Sequence, residues 1–127
     1  MIENQIAAAV VDAAFKIHTT LGPGLLESVY QATLSYELEK RGLSVGQQVG
    51  LPVYYETLKL EIGYRVDLIV GDKVIIEIKS VEALAPIHKS QLLTYLRLSD
   101  LRLGLLINFN VERIKDGIRR VVNNLGR

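Results

Sequence analysis

The sequence predicts an α/β fold, a mixed β-sheet with helices packed against it, in the element order ααββββαβα. Three observations carry that expectation. Apolar residues recur at three- and four-residue steps at the start of the chain. The period changes to two between residues 44 and 79. A short run at 103–109, apolar but for Asn108, has the character of a strand covered on both faces. A chain of 127 residues, 49% hydrophobic, suits one domain (1–127) with one core.

The elements follow in order. Ile2, Ile6, Val10, Ala13, Ile17 and Leu21 form one stripe of a first helix. Leu21-Gly22-Pro23-Gly24 breaks it. A second helix is expected over 25–41, closed by Lys40, Arg41 and Gly42, a basic last turn followed by a glycine stop. Val45, Val49, Leu51, Val53 and Tyr55 mark a strand that Pro52 places at an edge or a bend. Leu58, Leu60 and Ile62, alternating with Lys59 and Glu61, mark a second strand. Residues 64–70 and 74–79 read as two more, separated by Gly71-Asp72-Lys73. A helix over 87–98, the apolar strand and an amphipathic helix over 111–125, through Ile114, Ile118, Val121, Val122 and Leu125, complete the chain.

The hairpin around Gly71 allows two registers. A two-residue loop sets Asp67 opposite Ile76 and mixes charged with apolar side chains on both faces. A three-residue loop pairs Val70 with Val74, Leu68 with Ile76 and Val66 with Ile78, which makes one face wholly apolar. Burial of one face selects the second register, and an αL glycine suits its loop. Asp67 then faces Glu77, and Arg65 faces Lys79. Like charges placed directly across a strand pair repel. A cation between them would relieve this, and two carboxylates beside an ammonium suit a divalent metal next to a phosphate. The alternative is a solvated face with acids and bases interspersed.

Composition narrows the chemistry. There is no cysteine, which excludes disulfides and thiolate metal sites and fits a reducing, cytoplasmic location. With only His18 and His88, a histidine-rich zinc site is not expected, so a metal would be held by carboxylate oxygens, favouring Mg²⁺ or Mn²⁺. A formal net charge of +1 is less basic than a nonspecific coat for DNA would be. Glu3 and Asp12 interrupt the first apolar segment, so no signal peptide is expected there. No stretch of about 18 apolar residues occurs, and no membrane span is expected.

Asp67, nine intervening residues and Glu77-Ile78-Lys79 resemble the Asp…Glu-x-Lys core of the PD-(D/E)xK nucleases. Gly24-Leu25-Leu26-Glu27-Ser28-Val29-Tyr30 resembles the signature of the GxxExxY family within that superfamily. The resemblance continues through 91–96 and 103–109 and spans residues 6–123. It implies a restriction-endonuclease-like fold and metal-dependent phosphodiester hydrolysis, with DNA as partner and an endonuclease as the activity. By this resemblance Asp67, Glu77 and the Ile78 carbonyl would bind Mg²⁺ or Mn²⁺, with Glu27 completing the metal shell. Lys79 would orient the attacking water, and Gln91 would be the polar residue on the helix that follows. Tyr30, His88 and Tyr95 are candidates for substrate contact. Tyr30 would serve equally as a core tyrosine, and His88 as a solvated residue at a helix start. Arg119 and Arg120 form the densest basic pair for phosphate contacts, though a solvated helix face explains such residues as well. A homodimer is compatible with so small a nuclease domain. A binding module that keeps the fold without turnover is the alternative function.

Overall fold

The computed structural model describes residues 1–125. Helices α1 (Glu3–Leu21) and α2 (Glu27–Lys40) precede strands β1 (Val45–Tyr55), β2 (Leu58–Val70) and β3 (Val74–Lys79). Helix α3 (Pro86–Ser99), β4 (Leu103–Asn108), a 3₁₀ turn (Ile114–Gly117) and β5 (Ile118–Val122) follow. The strands form one sheet in the order β1-β2-β3-β4-β5. Every neighbour is antiparallel except β3 and β4, which run parallel. Helix α3 makes the crossover that a parallel pair requires. The restriction-endonuclease-like α/β class expected from the sequence is the class observed.

Two hydrophobic layers sandwich the sheet. Ile6, Val10, Ala13 and Ile17 of α1, with Leu34 and Leu38 of α2, pack on Leu68, Val70, Val74, Ile76, Ile78, Leu103, Leu105 and Ile107. On the other face Leu92 and Leu96 of α3 cover Val66, Ile75, Leu106 and Val121. Strands β3 and β4, covered on both sides, are buried almost throughout, which is why 103–109 is apolar at every position but Asn108. Among the described residues no helix is long and apolar enough to cross a membrane.

Two expectations need correction. The strands expected over 58–62 and 64–70 are one continuous strand, β2, whose partner β1 shifts register between Leu51 and Val53. Pro52, which lacks an amide donor, sits in that irregularity on an edge strand. The amphipathic helix expected over 111–125 does not form. The chain makes the 3₁₀ turn and returns as β5, antiparallel to β4, with Leu105 opposite Arg120 and Ile107 opposite Ile118. Gly117 explains the difference. It approaches β4 so closely that a Cβ there would lie 2.1 Å from the Asn108 carbonyl oxygen. The β-branched Ile118, Val121 and Val122 that follow then favour extended backbone.

Candidate active site

The hairpin between β2 and β3 has the three-residue loop, with Gly71 at φ +60° and Asp72 at φ +59°. Val70 pairs with Val74, Ile69 with Ile75 and Leu68 with Ile76. There the ladder stops. The pairs expected beyond it, Asp67 with Glu77, Val66 with Ile78 and Arg65 with Lys79, are not formed as ladder partners. The Ile78 amide instead donates to Asp67 Oδ2 at 2.7 Å. The carboxylate of Asp67 thus takes a backbone donor that the ladder would have satisfied. Val66 also changes sides: it packs with Ile75 and Leu92 under α3, whereas Leu68 packs with Ile76 against α1 and α2. The expected alternation fails at Asp67 because its side chain is spent between the strands.

This break sets up the site. Neighbouring residues of an extended strand send their backbone groups to opposite sides. The Lys79 carbonyl accepts from the Phe109 amide, on the side of β4. The Ile78 amide therefore faces β2 and Asp67, and its carbonyl shares that direction. The Ile78 amide and the Asp67 carboxylate meet where the hairpin opens, with the Ile78 carbonyl turned to the same side.

Glu77 precedes Ile78 and is only 9% exposed. Its Oε1 is buried without a hydrogen-bond partner. Burial, and next the neighbouring Asp67 carboxylate, push the Glu77 carboxyl up to about 8, with the Lys79 ammonium opposing them. A buried carboxylate lacking a donor costs free energy, and such groups cluster at functional sites. Lys79 is half-buried at the end of β3.

Helix α2 brings Glu27 to the same strand end. Glu27 Oε1 accepts from the Ser80 amide at 3.4 Å, and Ser80 Oγ donates to the Leu25 carbonyl at 2.6 Å. Glu27 is exposed and opens the helix, where a negative charge complements the macrodipole. It does not join Asp67 and Glu77 in a closed cage: among the described residues no three acidic or histidine side chains converge to hold a metal. Two carboxylates and a main-chain carbonyl suit Mg²⁺, which retains waters and takes further ligands from substrate phosphate. The buried, unpartnered Glu77 oxygen beside Asp67 fits such a cation.

Helix α3 supplies the remaining polar groups. Tyr95 stacks on Tyr64 with ring centroids 4.4 Å apart. Its phenol is shifted up by burial and then by the charges of Glu77 and Asp67, so it lies within their field. Gln91 is exposed one turn earlier on the same helix. His88 stands at the helix start, where its Nδ1 accepts from the Ala85 amide at 3.1 Å and caps the first turn.

Other expected contacts are placed elsewhere. Tyr30 is fully buried and stacks on Phe109 at 4.4 Å. Its hydroxyl donates to the Gly22 carbonyl at 2.6 Å and accepts from the Leu25 amide at 3.2 Å. It therefore ties down the loop that leads into Glu27 and has no exposed surface of its own. Arg119 and Arg120 lie on β5 rather than on a helix. Arg119 donates to the carbonyls of Asp116 and Ile118, and Arg120 to Asn4 on α1. Their register partners, Leu106 and Leu105, pack on opposite faces of the sheet, so the two arginines do not form one basic patch. His18, in the last turn of α1, donates from Nε2 to the Val111 carbonyl at 2.7 Å.

Sequence reasoning missed Tyr64, Ser80, Gln31 and Gln48. Gln48 Nε2 donates to Asp67 Oδ1 at 3.1 Å and to Gln31 Oε1 at 2.7 Å. The pair Gln47-Gln48 interrupts the apolar alternation of β1, and that was the available signal.

Residues 4–121 match the PD-(D/E)XK nuclease superfamily. Among curated proteins none matches this sequence. The crystal structure of SSO0001 is similar over 96% of this chain with a TM-score of 0.57, at 23% sequence identity. This chain spans 58% of the length of that one, and at such identity the likeness concerns the fold alone. With the match covering nearly the whole sequence, including the opened hairpin and its two acids, the chain belongs to the PD-(D/E)XK nuclease superfamily.

Proposed function

We propose that this protein hydrolyses phosphodiester bonds in DNA as an endonuclease dependent on Mg²⁺ or Mn²⁺. The observation that carries this reading is the buried, unpartnered Oε1 of Glu77 beside Asp67. Asp67, Glu77 and the Ile78 carbonyl would hold the cation, with Glu27 extending the shell through water. Bound there, a divalent ion lowers the pKa of water and stabilises charge on a phosphoryl group.

The side chains have separate tasks in this reading. Lys79 places a positive charge beside Glu77, where it can hold a phosphate oxygen and orient water. Tyr95 and Gln91 offer hydrogen-bond donors to the substrate backbone from α3. Tyr30 fixes the loop before Glu27. We also place the chain in the GxxExxY group, on Gly24, Glu27 and Tyr30, and in the cytoplasm, on its lack of cysteine. A homodimer would let so small a domain act on both strands of a duplex.

Calorimetric titration with Mn²⁺ tests the reading first. The native chain should bind saturably, Asp67→Ala should not, and only the native chain should then cut DNA. Binding retained by Asp67→Ala, or no metal-dependent cleavage of linear or branched DNA, would overturn it. The near-neutral charge favours one other reading, a binding module without turnover. Such a module would hold its partner equally well in EDTA.

A further inference from the structure

Gln48 lies in the interior of β1, yet its φ is +49°. A non-glycine residue rarely takes this conformation inside a strand, and it persists only where the surroundings enforce it. The residues on either side remain in register, Gln47 with Leu68 and Val49 with Val66. The kink therefore stands directly across from Asp67, at the point where β2 also loses its alternation.

The side chain of Gln48 uses the kink. Its Nε2 carries two hydrogens, and there are two acceptors: Asp67 Oδ1 at 3.1 Å and Gln31 Oε1 at 2.7 Å. Because a carboxylate only accepts, the orientation of the amide is fixed by chemistry. Gln31 is anchored in turn, its Nε2 donating to Gln47 Oε1 at 3.3 Å. Gln31 lies on α2, four residues and about one turn after Glu27. Asp67 is thus gripped on both oxygens, Oδ1 by Gln48 and Oδ2 by the Ile78 amide.

An amide in this place has a particular merit. Lysine or arginine would hold the carboxylate more strongly but would cancel its charge and repel a metal ion. Glutamine orients the group and leaves its negative charge intact. From this geometry we infer that Gln48, braced by Gln31, is a positioning residue that holds the Asp67 carboxylate in its metal-binding orientation. The inference rests on the metal reading of the site given above. It adds a link from α2 to Asp67 that makes no contact with metal or substrate. Groups that hydrogen-bond a metal-ligating carboxylate typically contribute tenfold to a hundredfold in metal affinity.

The variant Gln48→Gly removes the amide and suits the positive φ, so it should fold without loss. Gln31→Met removes the brace while keeping the length of the side chain. Three quantities are measured on native chain and variants: melting temperature, Mn²⁺ affinity by calorimetry, and hydrogen exchange of the Ile78 amide without metal. We expect Gln48→Gly to melt no lower than the native chain and to bind Mn²⁺ about tenfold to a hundredfold more weakly. Ile78 exchange should accelerate, because its acceptor is no longer held. Gln31→Met should shift affinity and exchange in the same direction by less. In cleavage assays at saturating Mn²⁺, kcat should recover toward native while KM stays unchanged.

The outcomes separate the two readings. Native binding with unchanged affinity in Gln48→Gly overturns the positioning role and spares the metal site. If the native chain binds no Mn²⁺, the metal reading fails and with it the catalytic meaning of Gln48. Unaltered Ile78 exchange in Gln48→Gly shows that Asp67 never needed the amide and overturns the inference outright.

Discussion

Among the described residues two glutamates are shielded, and they live in opposite circumstances. Glu37, on α2, accepts from Lys16 Nζ at 2.7 Å, with Lys40 at 3.9 Å and Arg41 at 3.8 Å. The hydrogen bond from Lys16 leads the effects that hold its carboxyl below the usual range. Glu77, on β3, has a buried oxygen with no donor and a carboxyl pushed up to about 8. The sequence offers a cation near both: Lys40 and Arg41 follow Glu37 on one helix turn, and Lys79 follows Glu77 on the same strand. The difference is how much each carboxylate is relieved. Three cations surround Glu37 and close its network. At Glu77 a second acid is adjacent and Lys79 offsets only part of the cost. A shielded acid with its counter-ions supplied is architecture; one with a counter-ion wanting is a place for a cation to come.

The sharpest way to break this contrast is Glu77→Gln. If Glu77 holds a catalytic cation, cleavage should fall by on the order of a thousandfold or more, since metal-based stabilisation of the transition state is worth several kcal/mol. Single-turnover cleavage at saturating Mn²⁺ measures this. A variant within a few-fold of native activity would reduce Glu77 to a buried acid without a task.

The pH dependence of stability, without metal, distinguishes the two glutamates by sign. The folded pKa of Glu77 is raised, so its contribution is fully present below the unfolded value near 4.5 and is lost as pH rises through about 8. The loss is on the order of a few kcal/mol. Glu37 is lowered, so its contribution is present above the unfolded value and is lost as pH falls through the folded one. Urea unfolding in EDTA should therefore show Glu77→Gln to be more stable than the native chain at pH 9, with the gap closing toward pH 4. Added Mn²⁺ should stabilise the native chain at pH 8 and leave Glu77→Gln unmoved.

Much of the architecture could be read beforehand because burial leaves a periodic mark. The stripe through Ile6, Val10, Ala13 and Ile17 is the buried face of α1, and burial of one face selected the pairing of Leu68 with Ile76. The failures lie where side chains replace backbone partners or backbones touch. Alternation could not reveal that Asp67 would take the Ile78 amide and turn Val66 to the opposite layer. Spacing in 111–125 suited a helix as well as a strand, and the close approach of Gly117 to Asn108 decided between them. At the candidate site the nearness of Asp67, Glu77 and Lys79 could be anticipated from the hairpin, though not as direct cross-strand pairs, and Glu27 was suggested by the resemblance. Gln48 was not, because a polar residue on an edge strand looks like ordinary surface. Tyr30, open between substrate contact and a core place, took the core place, because sequence does not say which loop a hydroxyl will satisfy.

The smallest expected effect belongs to the closed network. Glu37→Gln leaves Lys16, Lys40 and Arg41 near one another without their shared anion, though Arg41 keeps its bond to Asp12. Lys16 and Lys40 are half exposed, so water and salt screen most of the added repulsion. The variant should melt modestly below the native chain at pH 7, and 1 M salt should narrow the gap. The gap should also close as the pH falls through the lowered folded pKa of Glu37, where the native carboxylate takes up its proton. Mn²⁺ affinity and cleavage should not change, because Glu37 packs between α1 and α2 while the opened hairpin lies between β2 and β3. A loss of metal binding in Glu37→Gln comparable to that in Asp67→Ala would mean that the helices and the hairpin act as one electrostatic unit. The contrast between the two glutamates would then be one of degree rather than of kind.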